Sequence, residues 1–499
     1  MLPSIPDVNL PAILPVIWLC AGAIVVLLVD AFRRGAPGWL TGLSLGFLAA
    51  AAFSAAWGWD SPQRVMSGMF ASDRLTHAFT FIFVLGTGLT ILLSHDYATR
   101  EGIANGEYYA LLLFATAGMV MMAGGSNLVT IFLGLEVMSL AAYVLAGFFK
   151  ARPASSEASI KYFLMGAFST GFLLYGIALI YGSTGTLDHA TLARRVSEGG
   201  ADWLMLAGVG LLVVGFGFKV AAVPFHMWVP DVYEGAPTSI TGFMAAAVKA
   251  AGFAAFFRVF AGPLAALHAD WDAILWVLAV LTMTVGNVAA ITQRNLKRML
   301  AYSSIAHAGY LLVALVVLKA GAGGLLFYLF QYTLSTVGAF GVIIALGALN
   351  GNGREALDLS DYDGLGYRHP VLGFVLALFM FSLAGLPPTA GFVGKFYIFS
   401  SAVQAGYIWL VILAVLNTVA AAYYYLGVVV HLYMREPGVQ EAAAGSLGAA
   451  GRLDSSSGIL RVGILTAGGL FLAAWGTLHL GIFPSRVLDL AKRAVAGVF

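Results

Sequence analysis

The chain of 499 residues is 60% hydrophobic and only 10% charged, with a mean hydropathy of +0.89. Soluble domains carry about 25% charged residues, so a soluble globular protein is excluded, and a formal net charge of +2 offers no basic field for nucleic acid. Cys20 is the single cysteine, which rules out intrachain disulfides, thiolate-held zinc and iron–sulfur clusters.

A bilayer core of ~30 Å needs roughly 20 apolar residues per helix. On that template fourteen runs lie near 10–30, 38–59, 72–95, 107–124, 126–149, 157–182, 203–229, 237–262, 270–292, 299–318, 322–348, 370–402, 405–433 and 458–482. The start, "MLPSIPDVNL", has no basic stretch before the first apolar run, so no cleavable leader is expected. The longest polar connections are 183–202, 349–369 and 434–457, the last reading as a flexible loop or a short surface helix. Twelve loop lysines and arginines fall in odd-numbered connections; eight fall in even-numbered ones and the C-terminal tail. That bias places the odd loops in the cytoplasm and both termini outside.

Six basic residues remain after these twenty. Arg258 and Arg461 are near helix ends, where a long side chain snorkels to the interface. Lys161 is close enough to its helix start for either snorkelling or function. Lys219, Lys249 and Lys395 are too deep for that, and an ionised lysine at mid-bilayer costs at least ~2.5–3.5 kcal/mol. One acid, Glu136 in "TIFLGLEVMSLAAYVLAGF", is expected to be deeply buried with them. The bland alternative is ion pairs that glue helices. Buried bases outnumber the buried acid, however, and an apolar site favours a neutral amine while a nearby carboxylate favours the ammonium. Such groups suit a proton relay. His307, in "YSSIAHAGYLL", reads either as a further member or as a hydrogen-bonded core histidine; His226 is expected to be interfacial.

Two runs are interrupted. "GFGFKVAAVPFHMWVP" around Lys219 carries Gly215, Gly217, Pro224 and Pro230, and "LAGLPPTAGFVGKFYIF" around Lys395 carries Gly385, Pro387, Pro388, Gly391 and Gly394. Broken helices at membrane depth are tolerated where the freed backbone lines a cavity or is buried in protein. A pair in corresponding halves points to an ion site between inverted repeats. Helices 4–8 would then hold Glu136, Lys219 and Lys249, and helices 9–13 His307 and Lys395, with the lysines of the two broken helices pseudo-equivalent. The expected fold class is an all-α polytopic membrane protein. It divides into three N-terminal helices (1–106), a first half-channel repeat (107–262), a second, inverted one (263–433), and a loop with the last helix (434–499).

The stretches "LGLEVMSLAAYVL", "EASIKYFLMGAFSTGFLLYG", "FGFKVAAVPFHMWVPDVYEGAPT", "RNLKRMLAYSSIAHAGY" and "LAGLPPTAGFVGKFYIF" resemble the antiporter-like membrane subunits of respiratory complex I, the bacterial NADH:quinone oxidoreductase. The resemblance runs well over roughly 105–430. It implies a fourteen-helix subunit with two inverted five-helix repeats in the membrane arm of the bacterial plasma (inner) membrane, moving protons with no cofactor of its own. NAD, FMN, iron–sulfur clusters and quinone are expected in partner subunits, and neighbouring antiporter-like and small membrane-arm subunits are the expected partners. By the resemblance Glu136 and Lys219 form the first-half charge pair, Lys249 connects the halves, and Lys395 belongs to the exit half; Lys161 and His307 complete the candidate relay. Two other readings stay open: a multi-subunit cation/proton antiporter subunit, and a non-transporting scaffold.

Overall fold

The computed structural model describes residues 9–33, 37–347, 357–436 and 462–497. The 434–457 connection, but for its first residues, and the basic positions Arg34, Arg354, Arg452 and Arg461 lie outside them.

In chain order the helices are α1 (Leu10–Phe32), α2 (Pro37–Trp57), α3 (Arg74–Arg100), α4 (Gly106–Gly124), α5 (Leu128–Ala146), α6 (Pro153–Thr184), α7 (His189–Gly199), α8 (Trp203–Val220) and α9 (Val229–Gly235). Then come α10 (Thr238–Phe243), a π-helical turn (Met244–Val248) continuing into α11 (Lys249–Phe260), α12 (His268–Ile291), α13 (Leu296–Val316) and α14 (Ala322–Gly347). The chain ends with α15 (Leu365–Arg368), α16 (Pro370–Ala384), α17 (Ala390–Gln404), α18 (Ile408–Met434), α19 (Ile464–Ile482) and α20 (Ser485–Val495). Among the described residues thirteen helical segments are long and apolar enough to cross a bilayer. The run expected at 370–402 is not one of them, because it is divided into α16 and α17, each of 15 residues.

Local chemistry sets the helix starts. Side chains of Asp73, Asn127, Asp188, Asp202 and Asn295 accept hydrogen bonds from the first-turn amides of α3, α5, α7, α8 and α13. Proline opens α6, α9 and α16, where its missing N–H costs nothing.

The described residues are helical, as expected, apart from one short antiparallel hairpin, Gln63–Val65 with Phe70–Ser72. The polar connection 183–202 holds the helix α7, whose apolar side chains Leu192 and Val196 are buried while Arg194 and Arg195 stay outward. One expectation is corrected: Arg258 does not snorkel, for it is 7% exposed and makes two hydrogen bonds to Asp73, of 3.0 and 2.8 Å.

The segment from Thr238 to Phe260 is buried at every residue. By contrast α5, α6, α12 and α18 expose apolar stripes, among them Leu140, Phe168, Val288 and Val419. In a bilayer such faces meet lipid or another apolar protein face at little cost. The helix that carries Lys249 is therefore the axis of the bundle.

Candidate functional site

The first group forms around the broken helix α8–α9. The expectation that Gly215 and Gly217 interrupt it is corrected: α8 runs through both and stops at Ala221, which takes a left-handed conformation at φ 64°. Gly215 serves close packing instead, since a Cβ there would lie 2.7 Å from Cβ of Leu173. Lys219, 4% exposed, occupies the last turn of α8. Its Nζ donates to Ser139 Oγ at 2.7 Å and to Tyr143 OH at 3.2 Å, both on α5. Ser139 lies one turn beyond Glu136 on that helix, and Tyr143 one turn further.

Glu136 itself departs from expectation. It is half-buried, on the outward stripe of α5 with Leu133, Val137 and Leu140, and its Oε1 accepts from Thr170 of α6 at 3.0 Å. Among the described residues no ion pair within 4 Å joins it to Lys219; Ser139 and Tyr143 stand between them. The physical reason is helix phase: Glu136 and Ser139, three residues apart, straddle the edge of the buried face.

Lys161 is not buried with the other three lysines. Its Nζ bonds Asp231 Oδ2 at 2.8 Å and Glu157 at 2.6 Å, with 40% of the side chain exposed. Arg298 reaches Asp231 at 3.0 Å and Glu234 at 2.7 Å, closing an ion-pair cluster that holds the short α9 against α6 and α13. His226 falls in the break between α8 and α9, half-buried, with its Nδ1 unpartnered.

At the bundle axis, Lys249 is 2% exposed and directly follows the π-turn. Single π-turns inside α-helices redirect a side chain and recur at functional sites. Its Nζ donates to both the carbonyl and the hydroxyl of Ser304 on α13. Lys219 crosses the same helix one turn on, where a Cβ at Gly252 would stand 3.5 Å from Lys219 Cβ. Ser303, Ser304, His307 and Tyr310 share one face of α13 by their three- and four-residue spacing. His307 Nδ1 pairs with Tyr328 OH at 2.6 Å and Nε2 with Tyr425 OH at 2.9 Å; Tyr425 also bonds Ser303.

Lys395, 4% exposed, lies over the Tyr310 ring at 4.7 Å. Its Nζ donates to the carbonyls of Leu383 and Ala384 at 3.1 and 3.0 Å, the final carbonyls of α16. Those carbonyls are the negative end of a helix dipole, a fit for an ammonium. Both breaks carry a left-handed residue three positions before a proline, Ala221 before Pro224 and Gly385 before Pro388. Aligned on these, Lys219 corresponds to Leu383 and Lys395 to Asp231. The two lysines thus lie on opposite sides of their breaks in the sequence, Lys219 before Ala221 and Lys395 after Gly385.

The contacts fall into separate groups: Lys219 with Ser139 and Tyr143, Lys249 with Ser304, His307 with Tyr328 and Tyr425, and Lys395 with Tyr310, while Glu136 bonds Thr170 and Lys161 lies apart in the ion-pair cluster. Ser139, Tyr143, Ser304, Tyr310, Tyr328 and Tyr425 were not singled out from the sequence. The serine–histidine–tyrosine spacing in "SSIAHAGY" was the available signal for two of them, Ser304 and Tyr310.

The chain is similar to known membrane proteins over almost its whole length. Residues 125–420 match the family described as NADH:quinone oxidoreductase/Mrp antiporter, TM. NADH-quinone oxidoreductase subunit N of Trichlorobacter lovleyi is 48% identical over 98% of this chain and 97% of its own length. Subunit N 2 of Roseiflexus castenholzii is 42% identical over 96% and 94%. Among solved structures, a chain of respiratory complex I from Thermus thermophilus with bound aureothin superposes with a TM-score of 0.78 at 35% identity, covering 96% of this chain and 99% of that one. A chain of the Mrp complex from a Dietzia species has a TM-score of 0.83 at 22% identity over 98% of each, a likeness of fold. The chain belongs to the NADH:quinone oxidoreductase/Mrp antiporter transmembrane family, in the branch of the complex I N subunits.

Proposed function

We propose that the chain translocates protons in the membrane arm of an NADH:quinone oxidoreductase, through a relay of Glu136, Lys219, Lys249, His307 and Lys395. Redox chemistry on NAD, FMN, iron–sulfur clusters and quinone belongs to partner subunits, and this chain supplies no redox centre. Lys161 serves at the relay's edge, where its ion pairs with Asp231 and Glu157 anchor the broken helix. In this reading α8–α9 and α16–α17 each make one interrupted crossing, giving fourteen transmembrane passes with helices 4–8 and 9–13 as inverted repeats. Both termini face outside the bacterial inner membrane.

The observation that carries the reading is the α13 face. It offers Ser304 to Lys249 and Tyr310 to Lys395, with His307 between them. A hydroxyl and imidazole chain between two buried amines provides donors and acceptors for stepwise proton hopping. A scaffold would need only paired charges, whereas neither Lys249 nor Lys395 has a carboxylate within 4 Å among the described residues. The cation/proton antiporter reading draws on the likeness of fold to the Mrp chain, and it requires sodium dependence.

The test is Lys249→Met and Lys395→Met, which keep the apolar stem and remove the titratable head. Proton uptake and NADH:quinone turnover are measured in vesicles holding equal amounts of assembled complex. The proposal expects assembly at parent level or above and proton pumping lost in both. Full pumping in both variants would restore the scaffold reading.

A further inference from the structure

The helix α12 contributes none of the relay residues, yet its Asn287 is wholly buried. An amide persists in apolar packing only where its hydrogen bonds are met. Those of Asn287 are met by α13 and α18. Its Nδ2 donates to Tyr310 OH at 3.2 Å, to the Asn417 backbone carbonyl at 3.1 Å and to Asn417 Oδ1 at 3.2 Å. Its Oδ1 accepts from Tyr424 OH at 3.0 Å. The orientation of the amide is fixed by chemistry: a backbone carbonyl only accepts, so the end that faces Asn417 is the NH2. Tyr424 therefore donates and Tyr310 accepts.

Both tyrosines lead to relay residues. The Tyr310 ring lies under the Lys395 ammonium at 4.7 Å. Of the three donors on that ammonium, two go to the Leu383 and Ala384 carbonyls, and the aromatic face is its further partner. A desolvated contact between an ammonium and a ring favours the charged form by roughly 30-fold. It does so only while the face is turned to the cation, because the attraction comes from the ring quadrupole. A tyrosine ring turns about two side-chain bonds, and a tie at the hydroxyl, its far end, restrains both. On the other side, Tyr424 packs on Tyr425 with ring centroids 4.4 Å apart, and Tyr425 OH meets His307 Nε2 at 2.9 Å.

We propose that Asn287 is a positioning residue for Lys395: by holding the Tyr310 hydroxyl it keeps the aromatic face against the ammonium. The inference rests on the relay of which Lys395 is a member. The competing account is that the amide only glues α12 to α13 and α18, as buried asparagines do between membrane helices.

The test measures proton uptake per assembled complex, and unfolding temperature, in the intact membrane complex. The variants are Asn287→Leu, Asn287→Asp, Tyr310→Phe and the double Asn287→Leu/Tyr310→Phe, beside Lys395→Met. Asn287→Leu and Tyr310→Phe should each pump at less than half the parent rate. Tyr310→Phe keeps the ring and opens no cavity, so it carries the test even if leucine at 287 prevents assembly. Asn287→Asp, whose carboxyl accepts from both hydroxyls, should keep more than half. The double variant removes the hydroxyl that leucine leaves unpaired. It should regain unfolding temperature lost in Asn287→Leu, yet pump no better than either single variant.

Glue predicts instead that uptake returns with stability in the double variant, and that result overturns the proposal. So does parent uptake in Tyr310→Phe or Asn287→Leu, or an aspartate variant no better than the leucine one. Lys395→Met separates the two levels. Parent uptake there removes the relay and this inference with it; lost uptake there leaves the relay standing, and the failures above then sink the inference alone.

Discussion

Lys395 and Gly385 share one small volume: a Cβ on Gly385 would stand 2.9 Å from Lys395 Cδ, and Gly385 itself has φ of +83°. The break between α16 and α17 therefore does two things at once. It turns the carbonyls of Leu383 and Ala384 toward the ammonium, and it leaves room for the stem that carries it. A helix that continued through residue 385 would satisfy those carbonyls internally and leave the lysine without acceptors.

Gly385→Ala should expose that coupling. A left-handed alanine costs roughly 1–2 kcal/mol, and the methyl must also displace the lysine stem. We expect lower thermal stability of the assembled complex and a loss of proton pumping larger than the loss of assembled protein. Pumping that falls only in proportion to assembly would show that the break is structural and nothing more.

Lys249→Arg should not substitute for lysine. Guanidinium stays protonated throughout the working pH range, and its planar fork does not fit a site shaped for two bonds to Ser304. The expected outcome is assembled complex without pumping. Recovery of more than half the parent rate would remove Lys249 from the relay.

Glu136→Gln keeps an oxygen for the Thr170 hydroxyl but removes the charge near Lys219. Because Glu136 is half-buried on a lateral face, the change should leave assembly intact while coupled quinone reduction falls steeply. Glu136→Asp retains the charge and should retain partial turnover. Unchanged turnover in the Gln variant at equal assembly would contradict the role given to this carboxylate.

His189 gives a pH signature outside the relay. Burial first, then the neighbouring Arg258, push its imidazole down to about 3. Its unfolded value is about 6.5, so the unfolded chain binds the proton that the folded chain refuses. The stability that depends on this histidine is complete above about pH 6.5 and falls on acidification toward about 3, by up to ~1.4 kcal/mol per pH unit. His189→Gln should flatten that acid dependence. The check is the unfolding temperature of the full chain in neutral detergent at pH 7.5 and 5.5; equal losses in parent and variant would count against it.

Composition alone placed the chain in a membrane, because 10% charge cannot cover a soluble surface of this size. The spans followed from runs long enough to cross a bilayer, and the interruption of two of them from proline and glycine, which leave backbone groups unpaired. The burial of Lys219, Lys249 and Lys395 was legible for the same reason: each lies too deep in its apolar run for its head to reach water. Motif resemblance, residue by residue, supplied the candidate roles.

What a residue meets across the bundle was not legible, because contacts between distant segments leave no mark in local pattern. Ser304, Tyr328 and Tyr425 join Lys249 and His307 from three helices whose order in space only packing decides. Glu136 looked buried from its apolar neighbours, yet the phase of α5 against α6 turns it to the lateral face. Arg258 looked like an interfacial end residue until α3 brought Asp73 to it. Sequence determined which ionisable groups sit within apolar runs. Tertiary structure decided which of them touch, because helix phase and crossing are fixed by the whole packed core and by no single segment.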